Sequence, residues 1–199
     1  MIDNIFDEHI ILENERVLLR PIEADDGQHL LEFSMNEPDI WNFGLLTAAG
    51  EENLKKYVES ALINRREKKE YTFIVFDKLT NSYAGSTRFY DIQQSFSTTQ
   101  LGYTWYGKRF QRSGLNRHCK MLLLSFCFEQ WMLERVEFRA HAGNAASLAA
   151  MKNIGCVEEG ILRNNMPTVL GTRRDTMVLS IIKSEWFKNV KELIQSKIY

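Results

Sequence analysis

The sequence predicts one mixed α/β domain, and three observations predict it. Apolar residues alternate with a period of two in some segments and recur at helical spacing in others, and the two kinds of segment interleave along the chain. The chain has 199 residues, 44% of them hydrophobic and 12% aromatic, enough for a real core in a single domain spanning 1–199. No repeat, low-complexity segment or linker interrupts the series.

Taken in order, residues 16–20 are compact and apolar and read as a strand that Pro21 ends. Asp25 and Asp26 favour the start of a helix whose apolar positions are Leu30, Leu31 and Phe33. Residues 36–44 read as a loop. Residues 51–69 form an amphipathic helix with Leu54, Val58, Ala61 and Leu62 on one face. Residues 71–77 are a strand, 78–83 a turn, and 84–92 the returning arm of a hairpin. A strand follows over 96–106. Leu115, Cys119, Leu122, Leu123, Phe126 and Cys127 then recur at helical spacing, with Met121, Leu124 and Phe128 widening the face, so this helix is expected to be buried. Residues 135–142 alternate like a strand. Residues 143–155 form a short helix, with Asn144 as N-cap and Gly155 closing it. Strands over 156–163 and 173–182 flank a loop with Pro167 and Gly171. A last helix covers 183–197, with Ser184 as a candidate cap.

Net charge is -1 and the pI about 6.4, which argues against a broad nucleic-acid footprint. Cys119, Cys127 and Cys156 are odd in number and lie in apolar surroundings, as expected of reduced core residues in a cytoplasmic protein. The acidic start of the chain lacks the features of a signal peptide, and the run 121–128 is too short to span a bilayer. His9, His29, His118 and His141 are scattered without ligand spacing, so no metal is expected.

The join between residues 102 and 129 carries the most chemistry. A strand turns into a buried helix through Lys108, Arg109, Phe110, Gln111, Arg112, Ser113, Gly114, Leu115 and Asn116. The first N–H groups of that helix have no internal partners, and an anion suits the positive end of its dipole. Gly114 permits close backbone approach. Lys108, Arg109, Arg112 and Arg117 add charge. Two readings stand: a phosphate or pyrophosphate cradle, or an ordinary solvated basic loop. Neither the P-loop nor the dinucleotide-binding glycine pattern is present.

The hexad Gln111-x-x-Gly114-x-Asn116 resembles the Gln/Arg-x-x-Gly-x-Gly/Ala pyrophosphate loop of the GNAT superfamily of acyl-CoA-dependent N-acetyltransferases. Residues 144–163, "NAASLAAMKNIGCVEEGILR", look like the matching run of the Rim-type branch, which holds the ribosomal-protein N-terminal acetyltransferases and their relatives. The segments "ERVLLRPIEADD" and "RRDTMVLSIIKSEW" are similar to that branch's first and last strands with their helices. The resemblance covers nearly the whole chain in order. It implies the GNAT fold: a twisted, mostly antiparallel mixed sheet of about seven strands, flanked by helices on both faces. Strands four and five, here 100–105 and 135–140, would splay to admit acetyl-CoA as co-substrate.

The resemblance also implies roles. Gln111, Arg112, Ser113, Gly114, Leu115 and Asn116 would hold the pyrophosphate. The pantetheine arm would run along strand four, where a backbone N–H near Trp105 or Tyr106 would polarise the thioester carbonyl. Ser147 would protonate the leaving thiolate and Asn144 would bond the pantetheine arm or the acceptor; the same residues also read as a first-turn serine and a helix cap. His141 could relay a proton as general base, with Glu137 and Glu158 as weaker candidates, or could be an ordinary strand-end histidine. Trp41 and Phe43 would line the acceptor pocket or pack the core. Three positions depart from the pattern: Asn116 for glycine or alanine, Gln100 where many members carry an acid, and Asn164, Asn165 and Met166 where some place a glutamate. The general base is left unassigned. The expected reaction is acetyl transfer to a primary amine by direct attack on the thioester, on a small-molecule or peptide acceptor such as an α-amine. The alternative is a non-catalytic acyl-CoA-binding or regulatory module. A monomer or homodimer is expected, with neither nucleic acid nor membrane as partner.

Overall fold

The computed structural model describes residues 4–169 and 171–198. Eight strands form one sheet: β1 (Leu12–Glu13), β2 (Val17–Pro21), β3 (Tyr71–Asp77), β4 (Ser82–Gln93), β5 (Thr98–Tyr106), β6 (Arg135–His141), β7 (Val157–Pro167) and β8 (Arg173–Ile182). Their spatial order is β1-β2-β3-β4-β5-β6-β8-β7. All neighbours are antiparallel except β5 and β6. About seven strands were expected; the extra one is the two-residue β1, too short to show alternation. The expected strands four and five are therefore β5 and β6.

The helices are α1 (Gly27–Asn36), α2 (Glu51–Arg66), α3 (Leu115–Ser125), α4 (Ala145–Asn153) and a closing helix. The last runs through α5 (Lys183–Glu185), a π turn (Trp186–Val190) and α6 (Lys191–Gln195). On β4, the guanidinium of Arg88 lies against the rings of Tyr57 from α2 and Tyr103, while the next residue, Phe89, stacks on Phe126 just beyond α3. Successive strand residues face opposite sides, so α2 and α3 cover opposite faces.

Several local readings change. Pro21 ends its strand as expected, but as the last residue of β2, paired with Phe73. Residues 36–44 are not all loop, since Pro38–Trp41 makes a 3-10 turn with Pro38 at its start, where proline's fixed φ fits. Ser184 does not cap the last helix. Glu185 instead accepts the Ile182 N–H at 3.0 Å, because the chain enters the helix two residues earlier. Asn144 caps α4 as expected, its side chain accepting from Ser147 N–H at 3.1 Å. Cys119, Cys127 and Cys156 are buried free thiols.

Two glycines shape the sheet where the site lies. A Cβ on Gly85 would come within 2.0 Å of the Trp105 carbonyl oxygen, so only glycine lets β4 approach β5 there. A Cβ on Gly107 would meet the Phe33 ring at 2.4 Å, which seats the end of β5 on α1.

Candidate active site

Strands β5 and β6 pair over three positions, Thr98↔Arg135, Thr99↔Val136 and Gln100↔Glu137, and then part. Beyond Gln100 the β6-facing edge of β5 is open. A bulge sets the departure. Between the pairs Arg88↔Gly102 and Ser86↔Trp105, β5 spends one residue more than β4, and Tyr103 takes φ +48°. A bulge bends its strand and increases local twist, and here it carries β5 away from β6.

The chain leaves β5 through a turn that Gln111 fastens, its side-chain amide donating to the Tyr106 carbonyl at 3.0 Å. Arg112 (φ +59°) and Gly114 (φ +90°) are left-handed, so the backbone coils back before α3 begins. Among the described residues, no protein acceptor takes the N–H groups of Ser113, Gly114 or Asn116, while Leu115 N–H has only a long 3.4 Å bond to Ser113 Oγ. The space where a Cβ of Gly114 would stand is clear to 4 Å. These unaccepted N–H groups lie at the positive end of α3, an arrangement whose chemistry suits an anion. The flanking charge is smaller than expected. Lys108 pairs with Asp39 at 3.1 Å, Arg109 pairs with Glu32 at 3.2 Å, and Arg117 bonds the Lys197 carbonyl. Among the described residues the Arg112 side chain has no ion-pair partner. Asn116 turns its side chain to the Tyr106 hydroxyl, which donates to Oδ1 at 3.2 Å. Trp105 is buried, its indole N–H donating to Tyr57 at 3.3 Å.

Ser147 and Asn144 stand together at the head of α4, directly after β6, with Ser147 half-buried. His141 ends β6 and is paired with Thr176 of β8. Its Nδ1 accepts the Gly143 N–H at 2.9 Å. That bond occupies one of the two ring nitrogens a base role would draw on. Glu137 is also withdrawn, clamped between Arg135 at 3.0 Å and Arg139 at 2.7 Å, and Glu158 pairs with Lys152 at 2.6 Å. Gln100 brings Asp91 beside the point where the strands part, donating to it at 2.6 Å.

Trp41 is 4% exposed and meets Trp105 edge-on at 5.0 Å, so it is a core residue and does not line a pocket. Phe43 is 46% exposed and its ring meets His141 at 5.4 Å. Beside it a groove of about 390 Å³ runs between Leu45, Leu46, Tyr57 and Val169.

Two polar groups escaped sequence reasoning. Lys120 lies wholly within α3's apolar face, its ammonium donating to Thr104 of β5 at 3.1 Å and 5.7 Å from the Phe138 ring of β6. Burial lowers its pKa to about 8. Arg174 of β8 is 5% exposed and its guanidinium reaches the Phe43 carbonyl at 3.1 Å. No motif marks either residue. Among the described residues, no group of His, Cys, Asp and Glu could hold a metal ion, and no helix is long and apolar enough to cross a membrane.

The family model described as Acetyltransferase (GNAT) domain matches residues 16–157, well over half of the chain. The curated relative "Putative ribosomal N-acetyltransferase YdaF" of Bacillus subtilis (strain 168) is 27% identical over 175 residues, covering 87% of this chain and 94% of that protein. The crystal structure of a GCN5-related N-acetyltransferase from Brucella melitensis superposes with a TM-score of 0.88 at 24% identity, covering 96% of this chain and 86% of the other. Mycobacterium smegmatis RimJ, solved in complex with CoA-disulfide, shares the fold at a TM-score of 0.79 and 16% identity, with 94% and 93% of the two chains covered. With its parted central strands, its glycine-led helix start and this match, the chain belongs to the GNAT family of acetyltransferases.

Proposed function

We propose that the protein is a single-domain enzyme that transfers an acetyl group from acetyl-CoA to the α-amine of an amino acid or peptide. The observation that carries this reading is the juxtaposition of two features. An open β5 edge beyond Gln100 ends at a turn whose Ser113, Gly114 and Asn116 amides have no protein acceptor among the described residues. A pantetheine arm would add to the open edge like a strand, and its pyrophosphate would take the amides of 112–116 and the Arg112 charge.

In the reaction, the neutral amine attacks the thioester carbonyl carbon. A backbone N–H near Trp105 or Tyr106 stabilises the oxyanion. The C–S bond then breaks, the sulfur leaves as thiolate and takes a proton from Ser147, whose hydroxyl is reprotonated by solvent as the amine nitrogen releases its extra proton there. A thiol has an ordinary pKa of about 8.5, so the leaving group needs only modest help. The α-amine of a peptide has a pKa near 7.7–8.0 and a usable neutral fraction at pH 7, whereas a lysine side chain near 10.4 does not; the α-amine of a free amino acid lies between them, raised by its own carboxylate, unless that carboxylate is neutralised by a cation in the site. With Glu137 and Glu158 engaged elsewhere and one His141 nitrogen taken, the low-pKa amine is the acceptor that needs no strong base. The relative named as a ribosomal N-acetyltransferase supports peptide N-termini as one source of such amines.

Thermal melting with acetyl-CoA and thiol release with a panel of amines test this together. At about 100 times its dissociation constant, acetyl-CoA should stabilise the fold by roughly 2.7 kcal/mol. Gly114→Glu meets no atom within 4 Å but strains the left-handed backbone at φ +90°, so it should melt somewhat lower without ligand and lose that shift, while Gly114→Ala, strained alike but uncharged, should keep more of it. A wild-type protein with no shift refutes the reading. Binding without thiol release favours a non-catalytic acyl-CoA-binding module.

A further inference from the structure

Arg174 differs from the other buried arginine, Arg88, and from the partly buried Arg16 and Arg20. Arg16 has Asp77 at 2.6 Å, Arg20 has Asp26 at 2.6 Å, and the fully buried Arg88 has Glu70 at 2.6 Å. Arg174 is 5% exposed, and among the described residues no carboxylate lies within ion-pair distance of it. Of the five N–H groups on a guanidinium, Nε uses one on Thr176 Oγ1 at 3.2 Å and Nη1 uses one on the Phe43 carbonyl at 3.1 Å. Nη2 bonds to none of the described residues, and it is not among the fully enclosed atoms that lack a partner. A cation held out of water without an anion is costly, and a structure that keeps one gains from supplying the anion.

The position of Arg174 indicates where that anion comes from. Thr176, its Nε partner, is opposite His141 at the open end of β6, and Phe43, its Nη1 partner, packs on the same His141 ring. Its nearest ionisable neighbours on β4 and β5 are Tyr90 and Tyr103, the latter being the bulge residue where β5 turns from β6. Both hydroxyls are held neutral by burial. Arg139 and Glu137 of β6 neutralise each other. The guanidinium therefore faces the parted strands from the side opposite α3, with no protein charge to satisfy it. Resting on the acetyl-transfer reading above, we infer that Arg174 binds a carboxylate carried by the acceptor amine, with Phe43 and Thr176 fixing the plane of the fork. Guanidinium–carboxylate pairs are bidentate and directional, so this contact would orient the amine as well as select it.

The carboxylate has two sources: the α-carboxylate of a free amino acid, or an acidic side chain near a peptide N-terminus. Titration of the CoA-loaded protein separates them. The probes are the N-acetyl derivatives of the standard amino acids, their carboxamides, and N-acetyl dipeptide amides with Asp or Glu against Asn or Gln at the second position. We expect a carboxylate member to bind at least about tenfold more tightly than its amide. Tighter binding of the amino-acid acids identifies the first source, and tighter binding of the acidic dipeptide amides the second. Arg174→Met should erase the preference and Arg174→Lys should keep part of it. Both variants should retain the acetyl-CoA melting shift, because the cradle at 112–116 is untouched. If Arg174 only braces the Phe43 segment, Arg174→Met lowers the melting temperature and weakens acids and amides alike, and the inference falls. It falls equally if no carboxylate probe is preferred by the wild type, including the case where none binds. A wild type lacking the acetyl-CoA shift would instead bring down the underlying reading.

Discussion

Replacing Lys120 with methionine should make the protein more stable, and by a calculable amount. The lysine lies in the interior where β5 and β6 part, with its ammonium bonded to Thr104 and surrounded by the thiols of Cys119, Cys127 and Cys156. Burial is the leading cause of its pKa of about 8, against 10.5 for the free side chain. The same burial pushes Cys119 up to about 11 and Cys156 up to about 12, so the thiols are neutral near pH 7 and offer no counter-charge. The unfolded chain thus holds this proton more tightly than the folded one. The penalty is fully present below pH 8, shrinks as the pH rises from 8 to 10.5, and is gone above that range. The pKa difference corresponds to about 3 kcal/mol. Methionine has similar length and no charge, and Thr104 keeps its 2.7 Å bond to Thr87, so no partner is orphaned. Lys120→Met should therefore gain about 2–3 kcal/mol at pH 7, once the lost Thr104 bond is deducted. That is a rise in melting temperature of roughly 4–10 °C for a chain of this length. Scanning calorimetry at pH 7 and pH 10 measures both. A variant no more stable than wild type at pH 7, or a gap that does not narrow at pH 10, would refute the reasoning.

Other outcomes follow from the same geometry. Gly85→Ala places a methyl 2.0 Å from the Trp105 carbonyl and should cost more than about 3 kcal/mol in urea unfolding, as β4 is driven from β5. Ser147→Ala should lower kcat about tenfold or more while leaving the acetyl-CoA KM nearly unchanged; a kcat within about twofold of wild type reduces Ser147 to a helix residue. Asn144→Ala removes the cap on Ser147 N–H and should cost about 1 kcal/mol by chemical denaturation. Asn144→Asp, which keeps the acceptor oxygen, should restore most of that stability.

The sequence by itself determined the order of elements, because each was written in local periodicity. The apolar stripe of α3 from Leu115, the alternation of β6, the Asn144 cap and the Gly114 turn all follow from neighbouring residues and required no knowledge of the sheet. The same locality made the left-handed turn and the unaccepted N–H groups at 112–116 legible, since they lie within one turn of chain. What the tertiary structure decided are contacts between elements distant in sequence. Trp41 and Phe43 are two residues apart and equally aromatic, yet one is sealed against Trp105 and the other stands open beside His141. Only the packing of the Pro38–Trp41 turn on β5 separates them. His141 had the right residue type for a base, but the Gly143 N–H two residues on took one of the two ring nitrogens that a base role would draw on. Arg174 lacked any local signature, and its interest lies in what is missing around it: an acid such as Arg16, Arg20 and Arg88 each have. The parting of β5 and β6 is likewise invisible in one dimension. It arises from a one-residue excess in β5 against β4, a mismatch of register that exists only once the two strands are paired.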